Sequence, residues 1–156
     1  MNLKAQEYWE RFCSKNDVAH ALLYEIFAFG NTKEHADELA DLVLAGKKTG
    51  TSSGYELYQI DNEPLPKDGD YSVVVNGSDV PMGIIQTVEV AIVPWKEITE
   101  EQAATEGEGD LSLAYWQKGH YKYFKPYYEE HGLLLNEETK IVFERFRLVD
   151  RYQPNE

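Results

Sequence analysis

Lys48 and Thr51 stand three residues apart in the stretch Ala45-Gly46-Lys47-Lys48-Thr49-Gly50-Thr51-Ser52-Ser53-Gly54, which carries two ammonium groups, four hydroxyls and three glycines. An amine beside a hydroxyl is the pairing that nucleophilic catalysis uses, and lysine becomes a base where its pKa is lowered. Glycine lets a backbone approach a ligand closely or adopt positive φ. Gly46, Lys47, Ser52 and Ser53 would then surround a ligand held at Lys48 and Thr51. The same residues also read as a glycine stop after a helix, two solvated lysines and a polar turn.

A second stretch, Glu106-Gly107-Glu108-Gly109-Asp110-Leu111-Ser112, sets three carboxylates, Glu106, Glu108 and Asp110, apart by glycines. A cation beside Glu106 would stabilise its carboxylate and could hold it as an acid–base group. The competing reading is solvated acid plus capping chemistry, with Asp110 or Ser112 starting the helix that carries Trp116, His120, Tyr121, Phe124 and Tyr128. The ligand spacing and closing glutamate of a calcium-binding EF-hand are missing, so no metal and no cofactor are expected. His120 follows Trp116 by one helical turn, a spacing that suits packing as well as a ligand contact. Trp9, Trp95 and Trp116 read as core or pocket wall. His20 and His35 belong to no metal-ligand spacing and read as surface or boundary residues.

These groups need elements to carry them. Leu3 to Ser14 reads as a helix with Leu3, Tyr8, Trp9 and Phe12 for one face. Asp17 is a candidate N-cap for a second helix through Ala19, Leu22, Leu23, Ile26 and Phe27, ended by Gly30-Asn31. Thr32 starts a third, running to about Ala45, where Gly46 stops it. Tyr71 to Val75 is a β-rich run, Asn76-Gly77 a hairpin signal, and Val80 to Val93 one long or two short strands. In the last of these Gln86, Val88, Val90 and Ile92 alternate with Ile85, Thr87, Glu89 and Ala91, which predicts one apolar face. Pro81 and Pro94 sit near its ends, where a missing donor does least harm. Thr99 and Gln102 have the spacing of a capping box. Lys140 to Val149 is a further strand, in which Glu144, Arg145 and Arg147 predict a bulge or an exposed edge. Short strands with helices between them indicate an α+β domain around a small mixed β-barrel.

Composition narrows the function classes. The 156 residues are 42% hydrophobic and include 11 tyrosines, enough for one folded domain and too many for a disordered chain. The expected organisation is a single domain over 1–156, helical over 1–45, with the barrel and its inserted helices over 46–150. A net charge of −13 repels phosphate backbones, so duplex DNA is an unfavourable partner, while one nucleotide or a short single strand could still meet a local basic pocket. The single cysteine, Cys13, permits no internal disulfide and suits a reducing compartment. With no leader pattern and no long apolar run, the expectation is a soluble, cytoplasmic protein that does not enter a membrane.

The order of segments resembles the ASCH family, a branch of the PUA-like β-barrel proteins, in its larger bacterial subgroup. Gly46-Lys47-Lys48-Thr49-Gly50-Thr51 is similar to the family's Gly-x-Lys-x-x-Thr signature at the end of a helix. Glu106 to Leu113, then Tyr115-Trp116 and His120-Tyr121-Lys122-Tyr123-Phe124, carry the second part, supported by Phe29-Gly30 and Asp70-Tyr71-Ser72. The resemblance spans roughly Phe27 to Asp150. It implies association with RNA. One small bacterial member type hydrolyses acetylated cytidine with a threonine nucleophile, a lysine and a glutamate, roles that would fall on Thr51, Lys48 and Glu106. Another member type is described as a ribonuclease. This chain is longer at the N-terminus, and its Gly50-Thr51-Ser52-Ser53-Gly54 stands where the small amidohydrolases have a β-branched run ending in arginine.

Two functions are therefore expected. One is a metal-independent hydrolase of a modified nucleoside, a nucleotide or a short RNA, in which Lys48, its pKa lowered, takes the Thr51 proton and Glu106 positions the lysine and shuttles the proton to the leaving group. The other is a non-catalytic RNA- or nucleotide-binding module, with Lys47 and Lys48 on phosphate and tyrosines stacked on bases. The acidic balance favours the first, since a small neutral ligand tolerates it better than a polyanion does.

Overall fold

Helix α1 (Leu3–Asn16) opens the chain in the computed structural model, which describes residues 2–154. Asn2 caps it through a bond from the Ala5 amide, and Tyr8, Trp9 and Phe12 are buried on one side, as their helical spacing requires. Those rings pack on Val73, Val75 and Ile84 of the sheet. Asp17 differs from expectation. It ends α1 in the left-handed conformation, φ 54°, rather than starting a second helix. A short 3-10 turn, His20–Leu22, leads into strand β1 (Leu23–Phe27), so the second predicted helix is a strand. Its apolar residues fit either period, and pairing with the sheet decided between them.

Helix α2 (Lys33–Leu44) behaves as read. Thr32 accepts the His35 amide, and Ala36, Leu39, Ala40 and Val43 are buried, the last three against Val74, Ile85 and Phe146. Gly46 takes φ 74° and turns the chain, and the amides of Lys47 and Lys48 both donate back to the Leu42 carbonyl at 2.9 and 3.1 Å. Strand β2 (Gly50–Gly54) follows, then a short helix α3 (Tyr55–Ile60) that the sequence did not announce. Strands β3 (Tyr71–Val75) and β4 (Pro81–Pro94) are joined through Asn76, whose side-chain oxygen accepts the amides of Ser78 and Val80. Asp79, at φ 62°, makes the left-handed turn, so the connection is longer than a two-residue Asn-Gly hairpin. Helix α4 (Glu100–Ala104) carries the expected capping box of Thr99 and Gln102. Helix α5 (Leu113–Glu130) and strand β5 (Lys140–Arg151) complete the described chain.

The sheet has the order β1-β3-β4-β5-β2, parallel only between β1 and β3. Val88 of β4 and Val149 of β5 are extra residues in the β4–β5 ladder, so the bulge anticipated at this strand exists. β5 is nevertheless an interior strand between β4 and β2, not an edge. The bulge also breaks the apolar alternation expected of β4. Thr87 is buried, whereas Val88 and Ile92 are 42% and 46% exposed. Among the described residues β1 and β2 do not pair, so the sheet stops short of closing into the expected barrel. That open seam is where the chemistry-bearing residues gather. Helices α4 and α5 are held on this side of β5 by Ile98, Ala103, Trp116, Phe124, Tyr128 and Ile141.

Gly107 fastens the α4–α5 connection to the end of α2. Its φ is 75°, and a Cβ there would lie 2.5 Å from the Lys47 carbonyl oxygen. Gly107→Ala is expected to cost about 2–4 kcal/mol, combining left-handed strain of about 1–2 kcal/mol with displacement of backbone. Gly132, at φ 69° with open space around it, isolates the strain alone. Chemical denaturation of the two alanine variants tests this: Gly107→Ala should lose clearly more stability than Gly132→Ala, and equal losses would refute the contact.

Candidate functional site

A cavity of about 1030 Å³ fills the seam between β1 and β2, walled also by α2 and α5. Its construction begins with backbone. The Thr105 carbonyl at the end of α4 accepts the amides of Thr49 and Gly50 at 2.7 and 3.0 Å. This pins the residue before Glu106 to the start of β2, just beyond Lys48 in the chain. Lys48 and Glu106, 58 positions apart, are thereby placed side by side.

The Lys48 side chain is 2% exposed. Its Nζ donates to the Gly50 carbonyl at 3.0 Å and to Glu106 Oε1 at 3.4 Å, and lies 4.9 Å above the centre of the Phe29 ring. Glu106 is 4% exposed and is surrounded by donors. Ser52 Oγ and Trp116 Nε1 each donate to Oε2 at 2.7 Å, and His120 Nε2 stands 3.2 Å from the same oxygen. Both ring nitrogens of His120 face acceptors, because Nδ1 lies 2.8 Å from the Trp116 carbonyl. Only a doubly protonated ring satisfies both. The ring also stacks on Trp116, with centroids 4.3 Å apart. Burial alone would push the Glu106 carboxyl upward. The charges of Lys48 and His120 and the bond from Ser52 outweigh it and bring the pKa down to about 2. Glu106 is therefore a fixed anion.

Strand alternation separates the hydroxyls. Ser52 points to Glu106, while Thr51 and Ser53 take the other face of β2 and Ser53 bonds to Tyr58 at 2.7 Å. Thr51 lines the cavity, and among the described residues its hydroxyl has no hydrogen-bond partner. Lys48, Thr51, Ser52, Ser53, Glu106, Ser112, Trp116 and His120 thus share one cavity. Gly46, Lys47 and Asp110 lie outside its wall. Gly46 turns the chain, Lys47 is exposed, and Asp110 accepts the Ser112 amide at 2.9 Å. Ser112 doubles as the N-cap of α5.

Several cavity residues went unread in the sequence. His35 reaches Glu108 at 2.8 Å, a pair 73 positions apart that leaves no local pattern. Glu144 sits in the apolar run of β5, where its charge was taken only as a sign of irregularity. Burial is the main cause that pushes its carboxyl up to about 7, helped by Glu25 and Asp70 and opposed by a bond from Thr87. Burial likewise pushes Glu25 up to about 7, assisted by Glu63. Glu25 meets solvent at the cavity mouth, which weakens that effect, so Glu144 is the firmer case. Among the described residues no group of three or more His, Cys, Asp or Glu is placed to hold a metal ion. No helix among them is long and apolar enough to cross a membrane.

Comparison with known proteins follows the same lines. The family model described as ASCH domain matches residues 25–150. The crystal structure of an ASCH domain from Lactobacillus crispatus is similar at a TM-score of 0.89, with 30% identity over 97% of each chain. A protein from Enterococcus faecalis is similar at 0.90, with 30% identity over 99% of this chain and 93% of its own. An ASCH protein from Zymomonas mobilis, 12% identical over 85% of this chain and 75% of its own, shares the fold at 0.51. No curated sequence matches the chain.

The two carboxyl groups give stability opposite pH dependences. Glu106, lowered to about 2, contributes stability that is present above its ordinary value of 4.5 and lost as pH falls toward 2. Glu144, raised to about 7, contributes stability that is present below 4.5 and lost as pH rises through 7. Thermal scans across pH should show Tm falling between about pH 5 and about pH 8, with Glu144→Gln flattening that fall. A wild-type Tm that holds or climbs over this interval would contradict the burial of Glu144.

Proposed function

The chain belongs to the ASCH domain family, and from that membership we propose that it is a metal-independent hydrolase of a modified nucleoside, a nucleotide or a short RNA. One observation carries the reading: the unpartnered Thr51 hydroxyl lies on the same cavity as a buried, oriented lysine. Thr51 is the nucleophile. Lys48 has three N–H donors, of which the Gly50 carbonyl and Glu106 take two. The third is free to meet the oxygen of a substrate carbonyl as negative charge develops there. Lys48 therefore serves better as a fixed cation than as a proton acceptor. Glu106 is too weak a base to take a proton from an alcohol, and its part is to hold Lys48, Ser52, Trp116 and His120 in place.

A second reading has its own support. Tyr115 and Tyr127 line the cavity while 47% and 45% exposed, and rings in that setting can stack on bases. In that reading the domain binds RNA or a nucleotide without cleaving it.

Hydrolysis of acylated cytidine and of short RNA separates the two, with Tm as the control for folding. Thr51→Ala should lower turnover by about 10³-fold or more, since the nucleophilic oxygen is gone, and Thr51→Ser should keep measurable activity. Ser52→Ala should cost far less, about 10-fold, because Glu106 keeps its other donors. Full activity in Thr51→Ala would remove the nucleophile assignment. Loss of ligand binding by Lys48→Ala, with no substrate turned over by the wild type, would favour the binding module.

A further inference from the structure

We propose that Glu144 is the group that accepts the Thr51 proton and returns it to the leaving group; the inference rests on the hydrolase reading above. The placement comes from the ladder between β2 and β5. Thr51 and Glu144 are directly opposed in antiparallel register. Opposed residues project from the same face with Cβ atoms about 5 Å apart, within reach of a glutamate and a hydroxyl. Both residues line the cavity. Glu144 is also steered. Thr87, 5% exposed on the neighbouring strand β4, donates its hydroxyl to Oε1 at 3.3 Å. Among the described residues Oε2 has no partner.

The surroundings explain why this carboxylate can work as a base where Glu106 cannot. Glu106 faces Lys48 and His120. The titratable groups around Glu144 are Tyr24 and Glu25 from β1, Tyr58 from α3, and Asp70 ahead of β3. None is a cation, and among the described residues neither Glu25 nor Glu144 forms an ion pair. A carboxylate half-ionised near 7 accepts a proton far more readily than one at about 2.

The steps balance for an acylated amine. The Thr51 O–H proton passes to Glu144 as Oγ bonds to the acyl carbon, and the carbonyl electron pair moves to oxygen, where Lys48 meets it. That pair returns, the C–N bond breaks, and the nitrogen takes the proton from Glu144. A water then gives a proton to Glu144 and attacks the ester carbon. Thr51 Oγ leaves with that proton, and the net change is amide plus water to acid plus amine.

Acetylation by p-nitrophenyl acetate, mapped to residues by peptide mass spectrometry, tests the proposal without any natural substrate. In the wild type Thr51 should acquire the acetyl group, at a rate that rises with pH through about 7. Glu144→Gln should slow this by about 100-fold or more and remove the rise, and Glu144→Asp should restore part of it. Glu25→Gln, a variant away from the ladder, should move the midpoint to lower pH while Thr51 is still labelled, because a like charge has been removed. Labelling of Thr51 that is unchanged in folded Glu144→Gln, or a midpoint unmoved in Glu25→Gln, overturns the role of Glu144 and leaves the hydrolase reading standing. An unlabelled Thr51 in the wild type at every pH overturns both.

Discussion

A carboxylate with 4% of its surface exposed, satisfied by an ammonium, a hydroxyl, an indole and an imidazole, ties this site together. An isolated anion in such a place would cost several kcal/mol or more in lost hydration, so the donors around Glu106 cannot be loosened one at a time without penalty. They come from three separate pieces of chain: the turn after α2, strand β2, and two successive turns of α5. The carboxylate therefore does for the site what the hydrophobic clusters do for the sheet. Backbone bonds from Thr49 and Gly50 to Thr105, and the close approach of Gly107 to Lys47, bring the partners near enough for it to act.

The open seam between β1 and β2 gives the cluster something to face. Two of the glutamates that line the cavity have contrasting surroundings. Glu106 is enclosed by cations and donors and is held at about 2, while Glu144 sits among acids and phenols and is pushed up to about 7. A cavity with a permanent anion at one end and a proton acceptor at the other divides structural and chemical tasks between residues of one type. Thr51 lies on the face shared with Glu144, and Ser52 on the face shared with Glu106, because side chains alternate along β2.

Much of this was legible in the sequence, for identifiable reasons. The α2 stop at Gly46, the Thr99–Gln102 capping box and the Ser112 cap are local signals, and the structure contains them. The motif pair linking Lys48 with Glu106 was visible through family resemblance, since no local rule connects residues so far apart. The strand over Leu23–Phe27 was misread as helix because five residues cannot display a period, and their pairing partner lies in β3. The alternation in β4 misled because a single extra residue, Val88, shifts which side chains face inward. Glu144 is the instructive case. Its charge in an apolar strand marked a cavity wall, a meaning that only the register with Thr51 reveals.

The central claim, that one buried ion pair and its donors hold the site, is tested most directly by a double-mutant cycle on Lys48 and Glu106. Stabilities of wild type, Lys48→Met, Glu106→Gln and the double variant would be measured by chemical denaturation. Each single change should cost about 3–5 kcal/mol, because it strands a buried charge, and the double variant should lose about 2 kcal/mol or more less than their sum. Losses that add to within about 0.5 kcal/mol would contradict the account, since residues that do not interact are additive.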